Sequence, residues 1–86
     1  MAEFEVLLPS LVEQSGDPNA GEFAKVSFVY VAVGQKILEG EDLIEMVTDK
    51  AAFNVPSPRT GVVKSIFVEE DQKVNTGDRL VILEVE

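Results

Sequence analysis

Neither cysteine nor histidine occurs among the 86 residues, and tryptophan is absent as well. Without cysteine there is no disulfide to brace a small fold and no thiolate metal site, so packing alone must hold the chain together. Without histidine the commonest general base and metal ligand are missing, and independent catalysis is not expected. Cations are scarce too: seven Lys and Arg stand against sixteen Asp and Glu, a formal charge of −9. Phosphate recognition needs clustered cations, so nucleic acid and anionic membrane are poor partners and basic protein surfaces are better ones. No apolar run approaches the roughly 20 residues that span a bilayer. The start MAEFEV lacks the basic and apolar regions of a signal peptide. A soluble intracellular protein is expected.

With 45% hydrophobic and 27% charged residues, residues 1–86 suit a single domain with one core. A chain this short buries only about 60 to 65% of its unfolded surface, which favours a closed sheet architecture. Short runs rich in Val, Ile and Phe (FEVLL, VSFVYVAV, DLIEMV, GVVKSIFV, RLVILEV) are bounded by Gly, Asn, Asp or Pro. No stretch keeps a helical period over a helix's usual length. The fold class expected is all-β.

The chain also repeats itself. At an offset of 37 positions, Val26, Val31, Gln35, Lys36, Gly40 and Leu43 fall on Val63, Val68, Gln72, Lys73, Gly77 and Leu80. Conservative pairs fill the gaps: Val29 with Ile66, Ile37 with Val74, Glu41 with Asp78, Ile44 with Val81, and Met46 with Leu83. Half a chain of this kind cannot bury both faces of its strands. Two halves should therefore pack on each other as a small sandwich or flattened barrel with quasi-twofold symmetry. Gly40 and Gly77 would supply a positive φ or a close approach at equivalent turns. At an offset of 47, Val6 to Ser10 fall on Phe53 to Ser57, leaving the first half a surplus of about ten residues within Ser10 to Ala24. Its Ser15-Gly16-Asp17-Pro18-Asn19 reads as an exposed flexible loop.

What serves the frame should appear twice, and Thr48-Asp49-Lys50-Ala51 appears once. Between a strand ending near Val47 and one beginning near Ala52, these residues suit a tight type I turn. The Lys50 amine would then project into solvent at one end of the molecule. The carboxylates of Glu69, Glu70 and Asp71 match Ala32, Val33 and Gly34 in the repeat, so they read as a solvated turn. A lone acidic run does not make a calcium site.

The run LIEMVTDKAAFNVPSPRTGVVKSIFVEEDQKVNTGDRLVILE, with LLPSL and GEFAKVSFVYVAVGQKI before it, resembles the lipoyl domains of the dihydrolipoamide acyltransferase components of 2-oxo acid dehydrogenase complexes. The resemblance covers nearly the whole chain and rests on TDKA, VPSP, GVV and the closing V-x-x-GD-x-L. It implies a barrel-sandwich hybrid, a flattened barrel of two four-stranded antiparallel sheets. It also implies lipoic acid in amide linkage to Lys50, with Thr48, Asp49 and Ala51 beside it as the other cofactor-binding residues. The lipoylated arm would shuttle acyl groups and reducing equivalents as a non-catalytic carrier. Implied partners are a lipoate ligase, or an octanoyl transferase with lipoyl synthase, then the 2-oxo acid decarboxylase, the acyltransferase core and dihydrolipoamide dehydrogenase. The isolated domain would be a monomer. Two departures stand out: Val47, where the family usually has an acidic residue, and the absence of a Trp in the strand around Phe28 to Val31. The surplus within Ser10 to Ala24 falls where the family has a loop that helps the decarboxylase recognise its domain.

Three other readings stay open. A biotinyl domain shares the fold, but its lysine normally lies between two methionines, whereas Asp49 and Ala51 flank Lys50 and Met46 is too distant. The glycine-cleavage hydrogen-carrier protein is longer and has a helical segment. An unmodified interaction module of the same fold is the third. The end at Glu86 suggests an excised domain, and a bacterial cytoplasm and a mitochondrial matrix are equally compatible with the sequence.

Overall fold

A computed structural model of the chain describes residues 2–11, 23–49 and 51–85. In chain order the strands are β1 (Ala2–Leu7), β2 (Phe23–Val29), β3 (Lys36–Ile37), β4 (Asp42–Val47), β5 (Ala52–Pro56), β6 (Gly61–Ile66), β7 (Lys73–Asn75) and β8 (Arg79–Val85). They form two four-stranded sheets ordered β1-β8-β6-β3 and β5-β4-β2-β7. Every pairing is antiparallel. The all-β sandwich expected from the strand signals is what forms.

The halves do not simply pack on each other. Each sheet takes two strands from the first half and two from the second. The pseudo-symmetry that carries β1, β2, β3 and β4 onto β5, β6, β7 and β8 therefore exchanges the sheets, converting β1-β8-β6-β3 into β5-β4-β2-β7. The halves interlock because every strand pairs with one strand of the other half, while β2–β4 and β6–β8 pair within their own halves.

Backbone hydrogen bonds repeat across that exchange. The Val26 amide donates to the Gln72 carbonyl at 2.9 Å, and the Val63 amide donates to the Gln35 carbonyl at 2.9 Å. Asp71 N–H reaches Val26 O at 2.8 Å, and Gly34 N–H reaches Val63 O at 2.7 Å. Side chains repeat as well. Gln35 Oε1 accepts from the Ala32 amide and Gln72 Oε1 from the Glu69 amide, both at 3.1 Å. Glu41 Oε1 accepts from Leu38 N–H at 2.7 Å, and Asp78 Oδ2 from Asn75 N–H at 2.9 Å. The doubled polar residues thus hold the turns, and Gly40 and Gly77 take the left-handed φ expected of them, 91° and 90°.

The core is the apolar part of the same repeat. Val26 with Val63, Leu43 with Leu80, Ile44 with Val81, Met46 with Leu83, and Ile37 with Val74 are all buried. Between them they fill the space between the sheets.

The structure corrects the offset of the opening strand. Val6 lies opposite Val81 and Val55 opposite Ile44, and since Ile44 and Val81 are equivalent, so are Val6 and Val55. The offset is 49 rather than 47, and the surplus in the first half is twelve residues rather than about ten. The chain ends agree: Leu8 N–H donates to Asp78 O and Gly77 N–H to Leu8 O, as Ser57 N–H donates to Glu41 O and Gly40 N–H to Ser57 O. Pro9 therefore corresponds to Pro58, not Pro56. Residues 12–22, most of the surplus loop, lie outside the described residues.

Gly61 has a separate constraint. A Cβ there would lie 2.5 Å from the Glu84 carbonyl oxygen and 2.9 Å from Val85 Cγ1, whereas its counterpart Ala24 is buried and carries its methyl group. Gly61→Ala is expected to cost about 1–3 kcal/mol through overpacking. A urea midpoint unchanged from the parent protein would show that the β6–β8 spacing relaxes freely.

Candidate functional site

The β4–β5 connection is built from both its ends. Strand register runs Met46 opposite Phe53 and Val47 opposite Ala52, and beneath it Met46 is buried while Phe53 packs on the core. Beyond Val47 the Thr48 amide donates to Ala51 O at 2.8 Å. The Thr48 hydroxyl accepts from the Ala51 amide at 3.1 Å and lies 3.3 Å from Ala51 O. One threonine thus ties the span with backbone and side chain together, as a short hydroxyl residue can in a turn. Asp49 and Ala51 are exposed. The strand ends near Val47 and Ala52 are as expected, and Thr48, Asp49 and Ala51 come together in one tight reversal. Lys50 itself lies outside the described residues. Val47 is half-buried, in a row with Lys25 and Ala52.

Under the pseudo-symmetry the β4–β5 pair corresponds to β8–β1, where Val85 faces Ala2 across two separate strand ends. Among the described residues, the turn therefore has no counterpart in the other half.

A sequence profile for the biotin/lipoyl domain, described as biotin-requiring enzyme, matches residues 13–83. The chain belongs to the biotin/lipoyl attachment family. Domains of this family are non-catalytic carriers of a covalently held cofactor. Among relatives, the dihydrolipoyllysine-residue acetyltransferase component of the Haemophilus influenzae pyruvate dehydrogenase complex is 40% identical over 76 residues, covering 88% of this chain and 13% of that protein. The corresponding Azotobacter vinelandii component is 39% identical over 62 residues, 72% of this chain and 10% of that protein. The chain thus spans about an eighth or less of these relatives' length. In fold, the lipoyl domain of the Azotobacter vinelandii 2-oxoglutarate dehydrogenase complex superposes with a TM-score of 0.72 at 21% identity, covering 94% of this chain and 95% of that one. Kluyveromyces lactis urea carboxylase matches at a TM-score of 0.75 and 17% identity, over 98% of this chain and 6% of that one.

In this biotin/lipoyl domain the outer face beside the turn holds a group that the sequence reading did not single out. The β2 register shifts between Val26 and Phe28, a bulge. Strict alternation from Val26 would turn Phe28 and Tyr30 inward; the bulge turns them out, 47% and 41% exposed, and sends Val31 into the core. The two rings lie 5.1 Å apart at 51°. Phe28, Glu45 and Asn54 form one cross-strand row, two residues, or about 7 Å, along β4 from Val47. The Tyr30 hydroxyl lies 3.3 Å from Glu45 Oε2 and 3.2 Å from Asn54 Oδ1, and Asn54 Nδ2 donates to Asp42 Oδ2 at 3.0 Å. A sequence signal existed: VSFVY keeps two large residues in phase with Val26, more than one narrow core admits.

Glu69, Glu70 and Asp71 form the exposed turn expected of them. Asp71 holds a φ of 70° where Gly34 has 93°, and it pairs with Lys25 at 3.7 Å. Among the described residues, no three acidic side chains converge as a metal cage.

Partial loss of water around the Tyr30 ring, then the charge of Glu45 and the hydrogen bond to it, and finally Asp42, hold the phenol above its ordinary value of 10.0. A raised folded-state value favours the neutral phenol. Its stabilising contribution is present below about pH 10 and is lost as pH rises through the raised value. The chain has one tyrosine, so its ultraviolet titration is unambiguous. The midpoint should lie above that of the urea-unfolded chain and fall in Glu45→Gln; coincident folded and unfolded midpoints would contradict this assignment.

Proposed function

We propose that this domain is a lipoyl carrier whose Lys50 bears lipoic acid in amide linkage and serves the active sites of a 2-oxo acid dehydrogenase complex. The observation that carries the reading is the singular turn. In a frame that doubles its core pairs, bulges and turn bonds, Thr48-Asp49-Lys50-Ala51 has no counterpart, and it carries the Asp-Lys-Ala of the lipoyl domains the sequence resembles. Two relatives, at 40% and 39% identity, are named for a dihydrolipoyllysine residue.

The residues around Lys50 fit such a group. A lysine amine must be deprotonated and reach an activated acyl donor inside a ligase, so it needs exposure on a firm support. Exposed Asp49 and Ala51 leave approach open, while the Thr48–Ala51 bonds and buried Met46 fix the base of the turn. When bound, the dithiolane supplies acyl and electron acceptance; this chain supplies position. Tethering a substrate to a domain raises its effective concentration at successive sites, to the millimolar range for short flexible tethers. The partners on this reading are the lipoate ligase or octanoyl transferase with lipoyl synthase, and then the decarboxylase, acyltransferase core and dihydrolipoamide dehydrogenase of one complex. An overall charge of −9 suits brief, electrostatically steered visits to basic rims.

Incubation with a lipoate ligase, lipoate and ATP should add one lipoyl group by intact mass, mapped to Lys50 and absent in Lys50→Arg. A biotin adduct with biotin ligase would favour the biotinyl reading. A folded chain that accepts neither group would favour an unmodified interaction module.

A further inference from the structure

The two halves treat their exposed aromatic residues differently. Tyr30 and Phe67 are equivalent: their amides donate to the equivalent carbonyls of Leu43 and Leu80, both at 2.9 Å, and their exposures are 41% and 43%. Over Phe67 lies the Arg79 guanidinium, 5.0 Å from the ring centroid. The residue equivalent to Arg79 is Asp42, since Arg79 faces Leu7 as Asp42 faces Pro56. The first half thus keeps the aromatic platform and replaces its cation with an anion.

Elsewhere the chain covers its rings itself. Arg59 lies over Phe4 at 5.6 Å and Lys73 over Phe23 at 4.2 Å, while Phe53 packs on the core. Among the described residues, no cation lies over Phe28 or Tyr30. Their neighbours are instead the carboxylates of Glu45 and Asp42, with Asn54 between them. Two rings and two carboxylates on an exposed sheet face are complementary to a planar cation. A guanidinium can lie on a ring while its N–H fork meets a carboxylate, which a lysine ammonium cannot match.

We propose that Phe28, Tyr30, Asp42, Glu45 and Asn54 form a docking site for an arginine side chain presented by a partner protein. A second copy of this chain is a poor occupant, because its two arginines already lie over Phe4 and Phe67 and two chains of charge −9 repel. Nucleic acid and anionic lipid are repelled by the same charge. The site lies on the sheet that carries the β4–β5 turn, so a partner held here has that turn beside it. The proposal is independent of what Lys50 carries.

The test is a titration of the 15N-labelled chain with the peptides acetyl-Gly-Arg-Gly-amide and acetyl-Gly-Lys-Gly-amide, followed by amide shifts. The arginine peptide should give saturable shifts at Phe28, Tyr30, Glu45 and Asn54, with none at Phe67. Its affinity should exceed that of the lysine peptide by about threefold or more. Asp42→Arg places a cation where the second half has one and should weaken binding about fivefold or more, whereas Glu39→Arg, an equal charge change on another turn, should weaken it less than about twofold. If Asp42→Arg loses its dispersed spectrum, Glu45→Gln must show the loss instead. Equal response to both peptides, shifts scattered over all acidic residues, or equal effects of Asp42→Arg and Glu39→Arg would overturn the proposal. Concentration-dependent dimerisation through Tyr30 without peptide would overturn it in favour of a second copy.

Discussion

Four backbone hydrogen bonds hold this domain in its form. Val26 and Val63 each donate to a carbonyl of the other half and each accept an amide from it, through Gln72 and Asp71 on one side and Gln35 and Gly34 on the other. Both valines are fully buried. A buried amide or carbonyl left unpaired costs about 1–3 kcal/mol, so neither half can close its own ladder without the other. The interlocked sheets, the equivalent bulges after Val26 and Val63 and the single core follow from that exchange. In a chain without disulfides, this is how so small a core becomes one unit.

Symmetry in the frame makes its exceptions conspicuous. The β4–β5 turn has no counterpart, and the Tyr30 platform has a counterpart of opposite charge. Both exceptions lie on the sheet β5-β4-β2-β7, within a few residues of one another along β4. A carrier needs a firm, exposed attachment point and a surface by which its enzymes distinguish it. A doubled scaffold provides rigidity without specificity, and specificity then has to come from residues that break the doubling.

Much of this was legible beforehand, for physical reasons. Core pairs such as Leu43 with Leu80, and turn-holding pairs such as Gln35 with Gln72, recur because each position is used twice in the same way. The turn was legible because Thr, Asp and Lys interrupt two apolar runs. Three features were not. The offset of β1 was misplaced by two residues because Pro56 and Pro58 both offer a match to Pro9, and only the pairing of Val6 and Val55 with equivalent partners decides between them. The interlacing was hidden because alternation reveals which face a residue takes and not which strand lies beside it. The exposure of Phe28 and Tyr30 was hidden by a bulge, which shifts the phase of everything after it.

Native-state hydrogen exchange tests most directly whether the two halves form one cooperative frame presenting one turn. The Val26, Val63, Gly34 and Asp71 amides should exchange only through global unfolding, with equal opening free energies that follow denaturant along a single slope. A lower free energy for the Gly34 and Val63 pair than for the Asp71 and Val26 pair would mean that the two sheets open separately, and the paired bonds between the halves would not hold the fold as one unit.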